Sequence, residues 1–135
     1  MYRHILVPLA FDEAHEPEPA LAVARQLSGD DTRVSLLHVM PEVPGYAISY
    51  MPEGYREELE QAIRSELETL ARGFGSGAGV LASGDAGRVI LDWSGQNGVD
   101  CIVIASHRPG LQDYLLGSTA ARVVRHAACS VHVLR

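Results

Sequence analysis

The sequence contains no lysine; all eleven of its basic residues are arginine. That absence excludes Schiff-base chemistry, a lysine general base and a Walker-A phosphate loop, each of which depends on an ammonium side chain. Any bound phosphate must instead be met by backbone N–H groups, hydroxyls or arginine. No apolar stretch approaches the ~18 residues that a membrane helix needs. The opening Met1-Tyr2-Arg3-His4 leads into Ile5-Leu6-Val7 and then Pro8, too short a run for a signal-peptide core, so a cytoplasmic protein is expected. There are only two cysteines, Cys101 and Cys129, both in apolar surroundings, and they read as reduced packing residues. Positive charge is also short: the net charge of −6 disfavours a nucleic-acid footprint, which needs a basic surface.

What is present is a regular alternation. The 135 residues suit one domain, 1–135, with 47% hydrophobic and 21% charged residues as in ordinary globular chains. Short apolar runs occur at Ile5-Leu6-Val7, residues 34–39, Val80-Leu81, Ile102-Val103-Ile104 and residues 131–134. Rich in Val, Ile and Leu, they suit strands buried on both faces. Amphipathic stretches separate them. Ala20, Val23, Ala24 and Leu27 mark a helix over about 17–28, with Pro17 and Pro19 at its start. Tyr55, Leu59, Ile63, Leu67 and Leu70 form an apolar stripe along 52–72, opposite a strongly acidic solvent face. Val89, Ile90 and Trp93 mark a third helix that Asn97-Gly98 can end. Residues 118–126 form a fourth, with Ala120, Val123 and Val124 buried.

The order β-α-β-α-β-α-β-α-β requires parallel strands. Right-handed crossovers then leave an open sheet with helices on both faces, an α/β fold. Residues 41–51 are the one long irregular stretch, and Tyr46, Ile48, Tyr50 and Met51 make it unusually apolar. It is expected to cover the sheet edge, a ligand or a partner subunit.

Ligands of open parallel sheets bind beyond the carboxyl ends of the strands, where strand order reverses. With the reversal between the first and fourth strands, as in flavodoxin-like folds, the relevant turns are residues 8–12 and 105–110. Gly117-Ser118-Thr119 opens the last helix, whose unpaired N–H groups and positive dipole end suit phosphate oxygens. Gly117 permits close approach, Ser118 and Thr119 add hydroxyls, and Arg108 can add a charge-assisted contact. Ser118 has a plainer reading as a simple N-cap. Of the six histidines, no two stand at i, i+4 on a helix, so no metal site is expected; His38 and His132 read as hydrogen-bonded core residues within apolar strands, and His107 lies at the ligand edge. Leu116-Gly117-Ser118-Thr119-Ala120 is not the Gly-x-Ser-x-Gly turn of a hydrolase, and no catalytic residues are assigned. The acidic pair and lysine of a phosphate-accepting response regulator are missing as well.

Several of these segments together resemble the universal stress protein family, most closely its small single-domain F/G-type members. They are Ile5-Leu6-Val7-Pro8, Leu37-His38-Val39, the run from Ile104 to Pro109, Tyr114 to Ser118, and Val123 to Ala127. The resemblance implies a five-stranded flavodoxin-like sheet of the adenine nucleotide alpha hydrolase-like type, strand order 3-2-1-4-5. It also implies a homodimer, with higher oligomers allowed, and ATP binding, with or without Mg²⁺, accompanied by little or no hydrolysis. By the same resemblance Pro8, Leu9 and Val39 line the adenine, while Ser106, His107, Arg108, Gly117, Ser118 and Thr119 hold ribose and phosphates. Gly84-Asp85 resembles a family turn near the sugar edge. The chain departs from the family's Gly-x-x-Gly, nine residues, Gly-Ser/Thr motif. Ala105 replaces the first glycine, the second is absent around Arg108-Pro109, and the loop is one residue shorter; Ser-His-Arg-Pro at this point is nonetheless shared by F/G-type members. Ala10 stands where the family often has Asp, with Asp12 two residues on. These departures support an alternative, a stress protein that binds no nucleotide and acts through protein contacts. The C-terminal edge strand, residues 130–135, is the expected dimer contact.

Overall fold

The structure is a computed structural model that describes residues 1–11, 16–106 and 116–135. Five strands form one parallel sheet: β1 (His4–Pro8), β2 (Arg33–Met40), β3 (Gly77–Ser83), β4 (Cys101–Ala105) and β5 (Ser130–Leu134), in the order β3-β2-β1-β4-β5. This is the order that the family resemblance implies. The helices between them are α1 (Glu18–Leu27), α2 (Gly45–Ile48), α3 (Tyr55–Ala71), α4 (Ala86–Gln96) and α5 (Ser118–His126).

Strand side chains alternate between two faces, and each face builds its own core. Ile5, Val7, Val34, Leu36, Cys101 and Val103 pack against Ala20, Leu21 and Ala24 of α1 and Ile63, Leu67 and Ala71 of α3. Leu6, Leu37, Ile102 and Ile104 pack against Ile90 of α4 and Ala120 and Val123 of α5. Only β1, β2 and β4 are buried through most of their length; the edge strands β3 and β5 contain no fully buried residue. An edge strand has a neighbour on one side only, so its apolar residues are half covered.

Four expectations are corrected. The irregular stretch 41–51 holds the helical turn α2. The apolar stripe of α3 narrows, because Tyr55 and Leu59, in the N-terminal part of the helix, are exposed, and burial begins at Ile63. Val124 is exposed, since one helix face on a sheet buries Ala120 and Val123 but turns the next residue outward. His132 is exposed because β5 is an edge strand, and so it is not a core residue.

A polar cluster closes the amino-terminal end of the sheet. The backbone N–H groups of Arg3 and His4 donate to the Asp100 carboxylate at 2.9 and 3.0 Å. The His4 ring is 2% exposed. Its Nδ1–H donates to the Asn97 carbonyl at 2.9 Å, and its Nε2 accepts from the Ser35 hydroxyl at 2.7 Å. That tautomer leaves the neutral ring satisfied. Burial lowers the His4 pKa; the Asn97 carbonyl works the other way, and the Arg33 guanidinium, 3.2 Å from Nδ1, adds to the lowering. Because the unfolded chain takes up this proton first, His4 contributes stability above pH 6.5 that is lost as pH falls below that value towards its folded pKa. Urea midpoints are therefore expected to drop as pH falls below 6.5, with the His4 ring taking up its proton by NMR at a lower pH than an ordinary imidazole. An imidazole titrating at or above its ordinary value would overturn this assignment.

Candidate functional site

The candidate site lies where the sheet reverses direction, between β1 and β4. The ladder joining these strands runs in register Ile5↔Cys101 and Leu6↔Ile102, ending two residues before β1 does. On either side the ladders continue to Pro8↔Leu37 and Ala105↔Leu134. Val7-Pro8 and the end of β4 are therefore held by their outer neighbours instead of by each other. Proline at position 8 has no N–H to extend a ladder.

The segments beyond the strand ends are tied down by main-chain bonds. Leu9 N–H donates to the Leu37 carbonyl at 2.8 Å, and the Leu9 carbonyl accepts from His38 Nδ1 at 2.7 Å. His38 also packs its ring against Phe11, with centroids 5.1 Å apart. Ser106 is buried, and its N–H donates to the Leu134 carbonyl at 2.8 Å. The Ser106 carbonyl in turn accepts from the N–H of Gly117, which brings the start of α5 to the end of β4 across ten intervening residues. Gly117 is the N-cap of α5, at φ −60° and ψ 153°, and Ser118 is the first helical residue. Ser118 is thus not the N-cap, contrary to the plainer reading; its exposed side chain, and that of half-buried Thr119, stand in the first turn. The N–H groups of a first turn have no intrahelical partners, and the dipole makes this end positive.

Of the residues singled out from the sequence, Pro8, Leu9 and Ala10 follow the end of β1, Val39 lies near the end of β2, and Ser106, Gly117, Ser118 and Thr119 meet at β4 and α5. His107 and Arg108, like Asp12, lie outside the described residues. Gly84 turns at φ +133° between β3 and α4. The Asp85 carboxylate beside it caps α4 by accepting from Arg88 N–H at 3.1 Å, and it pairs with Arg122 of α5. Those partners occupy it structurally. His38 is the residue whose place in the site was not legible: its apolar setting indicated a hydrogen-bonded core residue, but not that the bond would fix the loop after β1. Burial raises the Cys101 thiol to about 11, so it stays protonated at neutral pH; Cys129 is half-buried and also raised by burial. Both cysteines are free. Among the described residues, no group of three His, Cys, Asp or Glu side chains could hold a metal ion, and no helix is long and apolar enough to cross a membrane.

The sheet order and its switch point define an open parallel α/β protein of the kind that binds ligands at the strand carboxyl ends. The chain belongs to the universal stress protein family, whose family model matches residues 1–135. It is 28% identical over 142 residues to Universal stress protein G of Shigella flexneri, covering all of both chains. To Universal stress protein A homolog 2 of Coxiella burnetii it is 33% identical over 141 residues, covering 99% of this chain and 95% of the relative. Among solved structures, the hypothetical protein MJ0577 superposes with a TM-score of 0.82 at 25% identity, covering 99% of this chain and 96% of that one. Several structures sharing the fold hold adenine nucleotides. They include a universal stress protein from Archaeoglobus fulgidus in complex with dAMP, a family protein from Arabidopsis thaliana with AMP bound, and a universal stress protein in complex with cAMP.

Proposed function

We propose that this chain binds an adenine nucleotide, ATP, at the β1–β4 switch point and works as a cytoplasmic, homodimeric stress-response module with little or no hydrolysis. The observation that carries the reading is the main-chain bond from Gly117 to Ser106, which sets the positive end of α5 against the strand ends. In a protein without lysine, that end is where a triphosphate finds N–H donors. Pro8, Leu9 and Val39 line the adenine in this reading. Ser106, His107, Arg108, Gly117, Ser118 and Thr119 hold ribose and phosphates, with Ala10 beside the sugar. The AMP, dAMP and cAMP complexes of proteins with this fold support the class of ligand. When present, Mg²⁺ would screen the phosphate charge. Isothermal titration with ATP and Mg²⁺ is expected to give saturable heat; a flat titration overturns the reading.

A second reading is favoured by Ala10, which puts a methyl group where the family pattern implies an aspartate. It is a module that has given up nucleotide and acts through protein contacts alone. Denaturing the purified protein separates the two, since a retained AMP or ATP would be released and absorb near 260 nm.

The homodimer is assigned to β5, the sheet edge beyond β4. Its outer backbone edge and the half-buried Val131, Val133 and Leu134 can meet their own copies across a two-fold axis. Sedimentation at micromolar concentration is expected to give a mass near two chains, and a mass near one chain contradicts the assignment.

A further inference from the structure

The segment that follows β2 forms a surface the nucleotide reading does not use. An open cavity of about 500 Å³ is lined by Val43, Ile48, Met51, Pro52 and Gly54, by Glu42, Glu53 and Glu57, and by Arg56. Its size lies within the ~300–1,000 Å³ of binding clefts. Large apolar side chains are exposed along the same segment and at the start of α3: Tyr46 is 80%, Ile48 60% and Tyr50 86% exposed, and Tyr55 and Leu59 are exposed as well. Exposed apolar surface of this kind, rich in tyrosine, is characteristic of interaction sites.

Charge indicates the partner. Between positions 41 and 63 there are five carboxylates and one basic residue, Arg56. Arg56 is engaged with Glu60 at 3.3 Å and with the Ser83 hydroxyl at 3.4 Å. Among the described residues, no ion pair engages Glu42, Glu53 or Glu57. A second copy docked here by two-fold symmetry would set this acidic surface against itself. A small ligand filling the cavity would leave the tyrosines uncovered.

We propose that this surface docks a basic amphipathic segment of another protein, in which large apolar side chains enter the cavity and flanking arginine or lysine residues meet the three carboxylates. Tyrosine faces add attraction for the cations.

The test uses a short fluorescein-labelled peptide alternating arginine and leucine, titrated against the full chain by fluorescence anisotropy. Saturable binding is expected, weakened about tenfold or more when Glu42→Gln, Glu53→Gln and Glu57→Gln are combined, and similarly by Ile48→Ser. Glu66→Gln with Glu68→Gln, which removes two carboxylate charges further along α3, is expected to leave binding within about twofold. Thermal midpoints of the variants show that they fold, since all these positions are exposed or line the cavity. Four results overturn the proposal: no binding; binding that survives the triple change; equal loss with the Glu66 and Glu68 control; or equally tight binding of a peptide with serine in place of leucine. A change of association state on Ile48→Ser without peptide would assign the surface to a second copy and also overturn it. Added ATP is not expected to compete, so failure here and failure of the nucleotide reading are distinguishable.

Discussion

Replacing Gly77 by valine is expected to destabilise the protein by about 3 kcal/mol, roughly 10 °C in Tm, or to prevent folding. A Cβ at this position would run into the carbonyl oxygen of Ala71, with the Ala71 carbonyl carbon and Phe74 Cβ each 3.1 Å away. Ala71 is the last residue of α3, and backbone cannot swing aside as a side-chain tip can. Gly79 makes the same point two residues on, where a Cβ would stand 2.7 Å from Leu67 Cβ. The two glycines let α3 lie close on β3, with Leu67 and Ala71 buried against the sheet. Gly75 is the internal control. Nothing lies within 4 Å of its virtual Cβ, so Gly75→Ala is expected to be neutral or to stabilise by up to about 1 kcal/mol through the unfolded chain. Urea unfolding of the three proteins checks this, and a Gly77→Val variant as stable as wild type would refute the close approach.

Saturating nucleotide is expected to have the second large effect. ATP with Mg²⁺ at about 100 times its dissociation constant should raise stability by about 2.7 kcal/mol, read as a shift in the thermal or urea midpoint. Gly117→Val should remove most of that gain while leaving the unliganded protein folded. At φ −60° and ψ 153° Gly117 has a backbone that any residue adopts, so the substitution adds no backbone strain. What valine changes is how near a phosphate can come to the first turn of α5. Ser118→Ala and Thr119→Ala, each losing one hydroxyl, should cost binding about 0.5–1.5 kcal/mol apiece. Equal midpoint shifts in wild type and Gly117→Val would place the nucleotide elsewhere, and no shift in wild type would leave the protein-contact reading standing.

The parallel α/β class was legible from the alternation of apolar runs and amphipathic stretches, because buried parallel strands need apolar side chains on both faces and crossover helices need one apolar stripe. The strand order came only with the family resemblance. The limits of β3 were not legible. Gly77, Ala78 and Gly79 carry no apolar signal and glycine argues against strand interiors, so only Val80-Leu81 stood out. The helix above required small residues there, and that requirement exists only once α3 has packed. Tyr55 and Leu59 misled in the opposite direction. Their spacing continues the stripe of α3, but periodicity does not say where the sheet beneath a helix ends. In the candidate site, Gly117-Ser118-Thr119 could be recognised locally as the opening of a helix. The assignment of the cap to Gly117 could not, because it depends on where the chain returns from Ser106.

By itself, then, the sequence determined the class of fold, the apolar runs and stripes that supply the core, and the absence of any lysine for a phosphate site. These follow from side-chain polarity and its period, which are properties of neighbours along the chain. Tertiary structure alone decided how closely α3 approaches β3, the premature end of the β1–β4 ladder, the bond from Gly117 to Ser106, and the exposure of the apolar segment after β2. Each is a meeting, or a missed meeting, between residues far apart in the chain, and local pattern carries no record of such distances.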